Sequence, residues 1–497
     1  MTSIDSTLLL QRAGDYALRI LPELVLIAYG FFMLALSAVW PRDKRHQIGY
    51  LALFAVGVTL LLVIWMGVHL GGGKAPPAFF GQFALDTFSI WFKTVFLAAA
   101  ALTIMLSIRY LQVEGAQAGE YYALILLATA GMMLMAGASD FVLIYVSLET
   151  MALCLYVLAG FLKENRKSNE AALKYFILGA FSSGIFLYGV SLVYGATGSL
   201  DLHSISQAAA GGPKDSMLLL GLIFVTVALG FKVAAVPFHM YIPDAYEGAP
   251  TSITAFMATA SKAAAFAVLL RIFVEGFGPL SGTWVPLVVL MSAASMTLGN
   301  VAAILQENTK RMLAYSSIAH AGYALMGVAA AGTGGDSASY GMTAVALYLL
   351  VYTFTTIGAF GLVIMLRREN LVGDLVVDFA GLSRRAPLPA FAMLVFMLSL
   401  AGIPLTAGFV GKWYLFGAAI KAGYAWLAVL AVANSAVSLY YYVRIVVQMY
   451  IKDPMSEERF AISPALAAAI GVAVIFTLLI GVYPEHFVTY ARLALVG

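Results

Sequence analysis

Glu149, Lys174, Lys232, Lys262 and Lys412 each sit inside a long run of apolar residues. Carboxylates and amines exchange protons, and a low-dielectric environment disfavours the charged form of either, so a proton is gained or lost there at small cost. A lysine at the centre of a lipid-embedded helix costs about 2.5–3.5 kcal/mol on insertion scales, and the set costs on the order of 10 kcal/mol. Packing alone does not require such residues. At an effective dielectric near 20, an opposite charge about 5 Å away is worth roughly 3 kcal/mol, so moving one partner loads or unloads its neighbour. The chemistry suited to this pattern is a proton relay. The competing reading is snorkelling side chains, or buried ion pairs that fix helix packing. For Lys93 and Glu23, nearer the ends of their apolar runs, the two readings stand level.

The elements that must carry these charges follow from composition. The 497 residues are 62% hydrophobic and only 11% charged, against roughly 25% charged in an ordinary soluble domain. Apolar stretches of about 20 residues, the length that crosses a bilayer, recur about 14 times. They start near Leu21, Ile48, Thr87, Tyr121, Phe141, Ser168, Met217, Ser252, Trp284, Thr309, Met342, Leu388, Tyr424 and Ala465. The segment before Leu21 lacks a basic start and a small-residue cleavage site, so it does not read as a removable signal. Alternating the connections gathers Arg42, Lys44, Arg45, Arg109, Lys163, Arg166, Lys167, Lys310, Arg311, Arg367, Arg368, Arg384, Arg385, Lys452 and Arg459 on one side. The other side keeps chiefly Arg12, Arg19, Lys74, Lys214, Lys421 and Arg492. That asymmetry, roughly two and a half to one, predicts both termini outside the cytoplasm.

Two of the lysines fall where helices should break. In span 7, Lys232 is followed by Pro237 and Pro243; in span 12, Gly402, Pro404, Gly408 and Gly411 lead into Lys412. Proline removes a backbone donor, and unwound backbone at mid-membrane is tolerated only where it lines protein or a wet cavity. An ordinary proline kink is the plainer alternative. Five spans separate these breaks, and because five is odd the two spans run in opposite directions, the geometry of an inverted repeat. The expected fold is an all-α membrane protein with two inverted five-helix repeats, spans 4–8 and 9–13. Its divisions are residues 1–118 for spans 1–3, 119–275 and 276–455 for the repeats, and 456–497 for span 14. The chain is expected to end there without a long lateral helix, and to hold its place by lateral packing.

Other chemistry is disfavoured. Cys154 is the one cysteine, which excludes a disulfide within the chain, an all-cysteine iron–sulfur cluster and a thiolate zinc site. None of the six histidines forms a close helical pair of the kind that holds haem or zinc. No bound redox cofactor is therefore expected. A net charge of +3 does not suggest nucleic acid. No nucleotide loop or nucleophile constellation marks an independent enzyme.

The segment GFKVAAVPFHMYIPDAYEGAPTSITAFMATASK at 230–262 resembles the antiporter-like subunits of respiratory complex I and the related multisubunit sodium/proton antiporters. The run PDAYEGAP followed by ATASK is similar to the subunit N family of bacterial NADH:quinone oxidoreductase. So are QENTKRMLAYSSIAHAGYALMG at 306–327 and SLAGIPLTAGFVGKWYLF at 399–416. The resemblance implies a proton-translocating membrane-arm subunit of the bacterial inner membrane, packed against an adjacent antiporter-like subunit and small membrane subunits. NADH oxidation and quinone reduction then occur in other subunits, and this chain binds no cofactor.

By that resemblance Glu149 matches the family's span 5 glutamate, Lys174 the span 6 lysine placed near it, and Lys232 the span 7 lysine it influences. Lys262 matches the span 8 relay and Lys412 the span 12 residue facing the exit. His320, between the two lysine-bearing halves, either shuttles a proton or is a hydrogen-bonded core histidine. For His239 and Asp244, beside the span 7 break, loop bracing or capping is the better reading. For Tyr315, Ser316 and Ser317 it is ordinary interhelical hydrogen bonding. Two rivals remain: a sodium/proton antiporter subunit that uses the same lysines, and a structural spacer whose buried charges only fix assembly.

Overall fold

The computed structural model describes residues 14–41, 44–45, 47–71, 73, 75–76, 78–116, 119–212, 215–367, 373–454 and 463–496. Arg12, Arg42, Lys74, Lys214, Arg368 and Arg459, used above to orient the chain, lie outside them. Helices dominate, in the order α1 (Leu21–Val39), α2 (Gln47–Leu70), α3 (Thr87–Val113), α4 (Gly119–Gly137), α5 (Phe141–Ala159), α6 (Arg166–Thr197), α7 (Leu202–Ala209), α8 (Ser216–Lys232) and α9 (Ile242–Gly248). Then follow α10 (Thr251–Gly276), α11 (Ser281–Ile304), α12 (Thr309–Ala331), α13 (Gly335–Leu366), α14 (Pro387–Ala401), α15 (Ala407–Lys421), α16 (Ala425–Tyr450), α17 (Pro464–Val482) and α18 (Pro484–Val496). Among the described residues, 11 helices are long and apolar enough to cross a membrane. A helix begins close to every expected start.

Polar residues at the boundaries explain where the apolar runs begin. Asp86, Asp140, Asn165, Asp215 and Asn308 cap α3, α5, α6, α8 and α12, their side chains accepting hydrogen bonds from otherwise unpaired first-turn amides. The breaks expected around Lys232 and Lys412 are present. Helix α8 ends on Lys232, Ala234 takes a left-handed φ of 63°, and helix resumes at Ile242 with Pro243 in its first turn. Helix α14 ends at Gly402 (φ 88°), Leu405 turns left-handed, and α15 starts at Ala407. Gly408 permits this turn to close: a Cβ there would lie 1.7 Å from the Ser399 carbonyl oxygen.

Two helices form the spine. The most apolar stretch of α10 is wholly buried and that of α13 is 94% buried, against 33% for α1, α2 and α17. Polar groups on α10 and α13 are therefore walled off from lipid by other helices. Helix α10 also contains two π-turns, Met257–Ser261 and Arg271–Gly276, and Lys262 directly follows the first. Such turns recur at functional sites because they re-aim side chains. The segment expected to hold one C-terminal helix holds two. Pro484 begins the second of them, α18, which packs against α13 and α3.

Candidate functional site

The second half of the chain assembles a continuous polar interior. Lys262 is 3% exposed. Its Nζ donates to the Ser317 carbonyl at 2.7 Å and to Ser317 Oγ at 2.5 Å. One turn further along α12 lies His320, with Nδ1 2.5 Å from the Tyr348 hydroxyl of α13 and Nε2 3.0 Å from the Tyr442 hydroxyl of α16. Tyr442 also meets Ser316 Oγ at 2.5 Å. Both Lys262 and Lys412 act electrostatically on the imidazole. Both ammonium groups are thus within electrostatic reach of one histidine.

Lys412 owes its setting to the broken helix. Its Nζ donates to the Leu400 and Ala401 carbonyls at 2.9 and 3.0 Å, and to Ser435 Oγ at 3.1 Å. The two carbonyls end α14, where no further turn supplies amides, and the helix dipole there favours a cation. The Tyr323 ring faces the same ammonium at 4.9 Å. Between His320 and Lys412 lies a cavity of about 10 Å³ lined by Tyr348, Tyr352, Thr355, Ser399 and Gly408, room for about one water.

In the first half, Lys232 ends α8, and Glu149 of α5 is the charged group that acts on it. Glu149 accepts a hydrogen bond from Ser183. Lys174, expected beside Glu149, is engaged elsewhere: its Nζ lies 2.7 Å from both Glu170 Oε1 and Asp244 Oδ2, and its side chain is 41% exposed. The reason is helical register. Glu149 lies level with Ser183 of α6, and the nine residues from there to Lys174 correspond to about 13.5 Å of helix rise.

Asp244, expected to brace or cap the break, makes no capping bond to its own helix and pairs with other helices instead. Its second oxygen accepts from Arg311 at 2.7 Å, Arg311 reaches Glu247 at 3.0 Å, and Glu247 binds Lys167 at 2.8 Å. This alternating chain of acids and bases joins α6, α9 and α12 around a polar cavity of about 180 Å³. His239 is half-buried, its ring within reach of the Pro237 carbonyl.

Several participants carry no sequence signal of their own. Tyr348 and Tyr352 read as core aromatics, although their spacing of four already puts them on one helix face. Tyr442, Ser399 and Ser435 are unremarkable until the helices pack. Ser316 and Ser317 bond between helices as expected, but to a histidine-bound tyrosine and to Lys262. Tyr315 is half-buried against the core. Arg271 interrupts an apolar run as the lysines do. It is 2% exposed and binds both oxygens of Asp86, at 2.8 and 2.9 Å, and the Ala136 carbonyl at 2.7 Å. Glu23 and Lys93 form an ion pair at 2.7 Å, fully buried. Among the described residues, no group of three or more His, Cys, Asp or Glu side chains is arranged to hold a metal ion.

Residues 138–438 match the family model described as NADH:quinone oxidoreductase/Mrp antiporter, transmembrane region. NADH-quinone oxidoreductase subunit N 2 of Rhizobium meliloti is 45% identical over 97% of this chain and 98% of its own length. Subunit N 1 of Koribacter versatilis is 46% identical over 98% and 96%. A chain of respiratory complex I from Thermus thermophilus superposes with a TM-score of 0.78 at 34% identity, covering 95% of this chain and 99% of that one. A chain of the Mrp complex from a Dietzia species superposes at 0.84, covering 96% and 97%, but at 23% identity it shares the fold alone.

Proposed function

The chain belongs to the NADH:quinone oxidoreductase/Mrp antiporter family, on its subunit N branch, and from that premise we propose that it is the proton-translocating membrane-arm subunit N of a respiratory NADH:quinone oxidoreductase. It moves protons while redox chemistry proceeds in other subunits. The observation that carries the reading is the cavity for about one water between His320 and the buried Lys412, with the buried Lys262 bonded to Ser317 one turn before His320 on the same helix. Protons enter from the basic side, occupy Lys232 and Lys262 by turns, cross by way of His320 to Lys412 and leave on the far side. Glu149 biases Lys232. Lys174 acts with it as a switch by exchanging partners, with Asp244 and Glu170 holding it in the arrangement described.

Counting α8 continued by α9, α12, and α14 continued by α15 with the 11 long helices brings the spans to about 14. We read residues 119–275 and 276–455 as two inverted repeats, 1–118 as the preceding helices and 456–497 as the closing segment. The subunit sits in a bacterial inner membrane with both termini outside the cytoplasm, packed against another antiporter-like subunit and small membrane subunits, and needs no cofactor of its own.

The test is Lys232→Met in the intact complex, with NADH oxidation and proton release measured together. Pumping-coupled activity is expected to be lost. Full proton stoichiometry in that variant would overturn the assignment of Lys232 to the path.

A further inference from the structure

His320 and Lys412 are connected twice. One connection is the cavity between them. The other is a string of side chains. From His320 Nε2 it runs to the Tyr442 hydroxyl at 3.0 Å, and then to Tyr441, whose ring lies 4.4 Å from that of Tyr442 and whose hydroxyl interacts with it. The Tyr441 hydroxyl donates to Asn300 Oδ1 at 2.8 Å, and Asn300 Nδ2 donates to the Tyr323 hydroxyl at 3.2 Å. Ser435 Oγ donates to that same hydroxyl at 3.4 Å, and Lys412 Nζ donates to Ser435 Oγ at 3.1 Å. Asn300, Tyr323, Tyr441 and Tyr442 are each at most 1% exposed.

Two features stop a proton from following this string. A carboxamide offers a carbonyl acceptor and two N–H donors but no group that titrates, whereas hydroxyls and imidazoles both accept and release. A proton arriving at Asn300 Oδ1 therefore has no ready release at Nδ2. The direction of donation also reverses at Tyr323, whose oxygen accepts from Asn300 on one side and Ser435 on the other. The amide is held in this orientation: Nδ2 also donates to the Met296 carbonyl at 2.8 Å and to Asn434 Oδ1 at 3.4 Å. Turning it over would set the carbonyl oxygen against two acceptors, the Met296 carbonyl and Asn434 Oδ1.

We propose that Asn300 is an insulating, positioning residue that closes the hydrogen-bonded frame holding Tyr323 and Ser435 against Lys412. It denies protons this dry route and leaves the one-water cavity as the passage between His320 and Lys412. The inference rests on reading Lys412 as a relay. A gated pump needs a single path at the gate, because a permanently wired second connection returns protons from Lys412 to His320 whenever the cavity is closed.

The experiment uses the whole complex in sealed vesicles, with NADH oxidation and proton translocation measured together. Asn300→Asp places a titratable carboxyl in the gap; NADH turnover is expected to persist while protons moved per NADH fall. Asn300→Leu fills the same gap with a side chain that carries no proton, and the protons moved per NADH are expected to stay above the Asn300→Asp value. An undiminished ratio in Asn300→Asp overturns the proposal. So does a ratio in Asn300→Leu no higher than that in Asn300→Asp, because the loss then follows from the disturbed frame and not from a new proton route. If Asn300→Asp does not assemble, Asn300→His supplies a titratable group without a fixed charge, with the same two outcomes. Lys412→Met, measured alongside, separates the two levels: unchanged pumping there removes the relay reading itself, whatever Asn300 does.

Discussion

Replacing Arg271 by Met should damage the subunit through Asp86. The guanidinium is 2% exposed and binds Asp86 Oδ1 and Oδ2, Glu275 Oε1 at 2.9 Å and the Ala136 carbonyl, with its central carbon 4.5 Å from the Phe88 ring. It thereby ties the end of α10 to the start of α3 and the end of α4. Methionine fills much of the volume but leaves Asp86, 6% exposed, with only its bonds from Ser89, the amide at 2.8 Å among them. Stranding a buried charge in this way costs roughly 3–5 kcal/mol, a large part of the roughly 5–15 kcal/mol that holds a typical folded domain together. Asp86→Asn in the same chain keeps an acceptor for Ser89 and removes the stranded charge, so the double variant is expected to recover about half of the loss, roughly 2 kcal/mol. The readout is the thermal midpoint of the detergent-extracted complex, with subunit retention followed by native electrophoresis.

A pH series adds a second check. Burial alone would raise the Asp86 carboxyl, but the Arg271 charge and the Ser89 bonds outweigh it and hold it below the usual range. A carboxyl whose folded value is lowered contributes stability above its unfolded value and loses it as pH falls through the folded one. The parent should therefore weaken on acidification below about pH 4, and Arg271→Met should lose that slope. A single variant as stable as the parent, or a double variant no better than the single, would refute the argument.

Glu149→Gln keeps an acceptor for Ser183, so assembly should hold while turnover falls at least about tenfold; unchanged turnover would favour a purely structural role for the buried charges. Tyr348→Phe removes the hydroxyl 2.5 Å from His320 Nδ1, and losing a positioned proton partner should slow coupled turnover by at least about tenfold with assembly intact. A parental rate would exclude Tyr348 from the transfer. Gly408→Ala forces a methyl to 1.7 Å from the Ser399 carbonyl oxygen and is expected to cost roughly 1–3 kcal/mol. Gly471→Ala, with open space around its Cβ position, should leave the thermal midpoint unchanged, and equal effects would mean the turn before α15 does not need its glycine.

The solvent, the helices and the costly charges are all legible in the order of residues. Apolar runs of membrane-crossing length bracketed by Asp and Asn caps leave few alternatives to lipid-embedded helices, because every backbone polar group must be satisfied within the segment. The breaks at Lys232 and Lys412 were legible for the same local reason, since proline and glycine act on their own turn of helix. Partnership depends on how the helices pack. Lys174 was expected beside Glu149, yet the register between α5 and α6 sends it to Asp244 and Glu170. Tyr348, Tyr442, Ser435 and Asn300 carry no charge and stand out from no pattern, so their roles appear only when α11, α12, α13 and α16 bring them to His320 and Lys412. The burial energy that marks a charged residue in sequence is a property of one side chain and its span. A hydrogen-bonded connection belongs to several helices at once, and their mutual rotation and depth are set by packing.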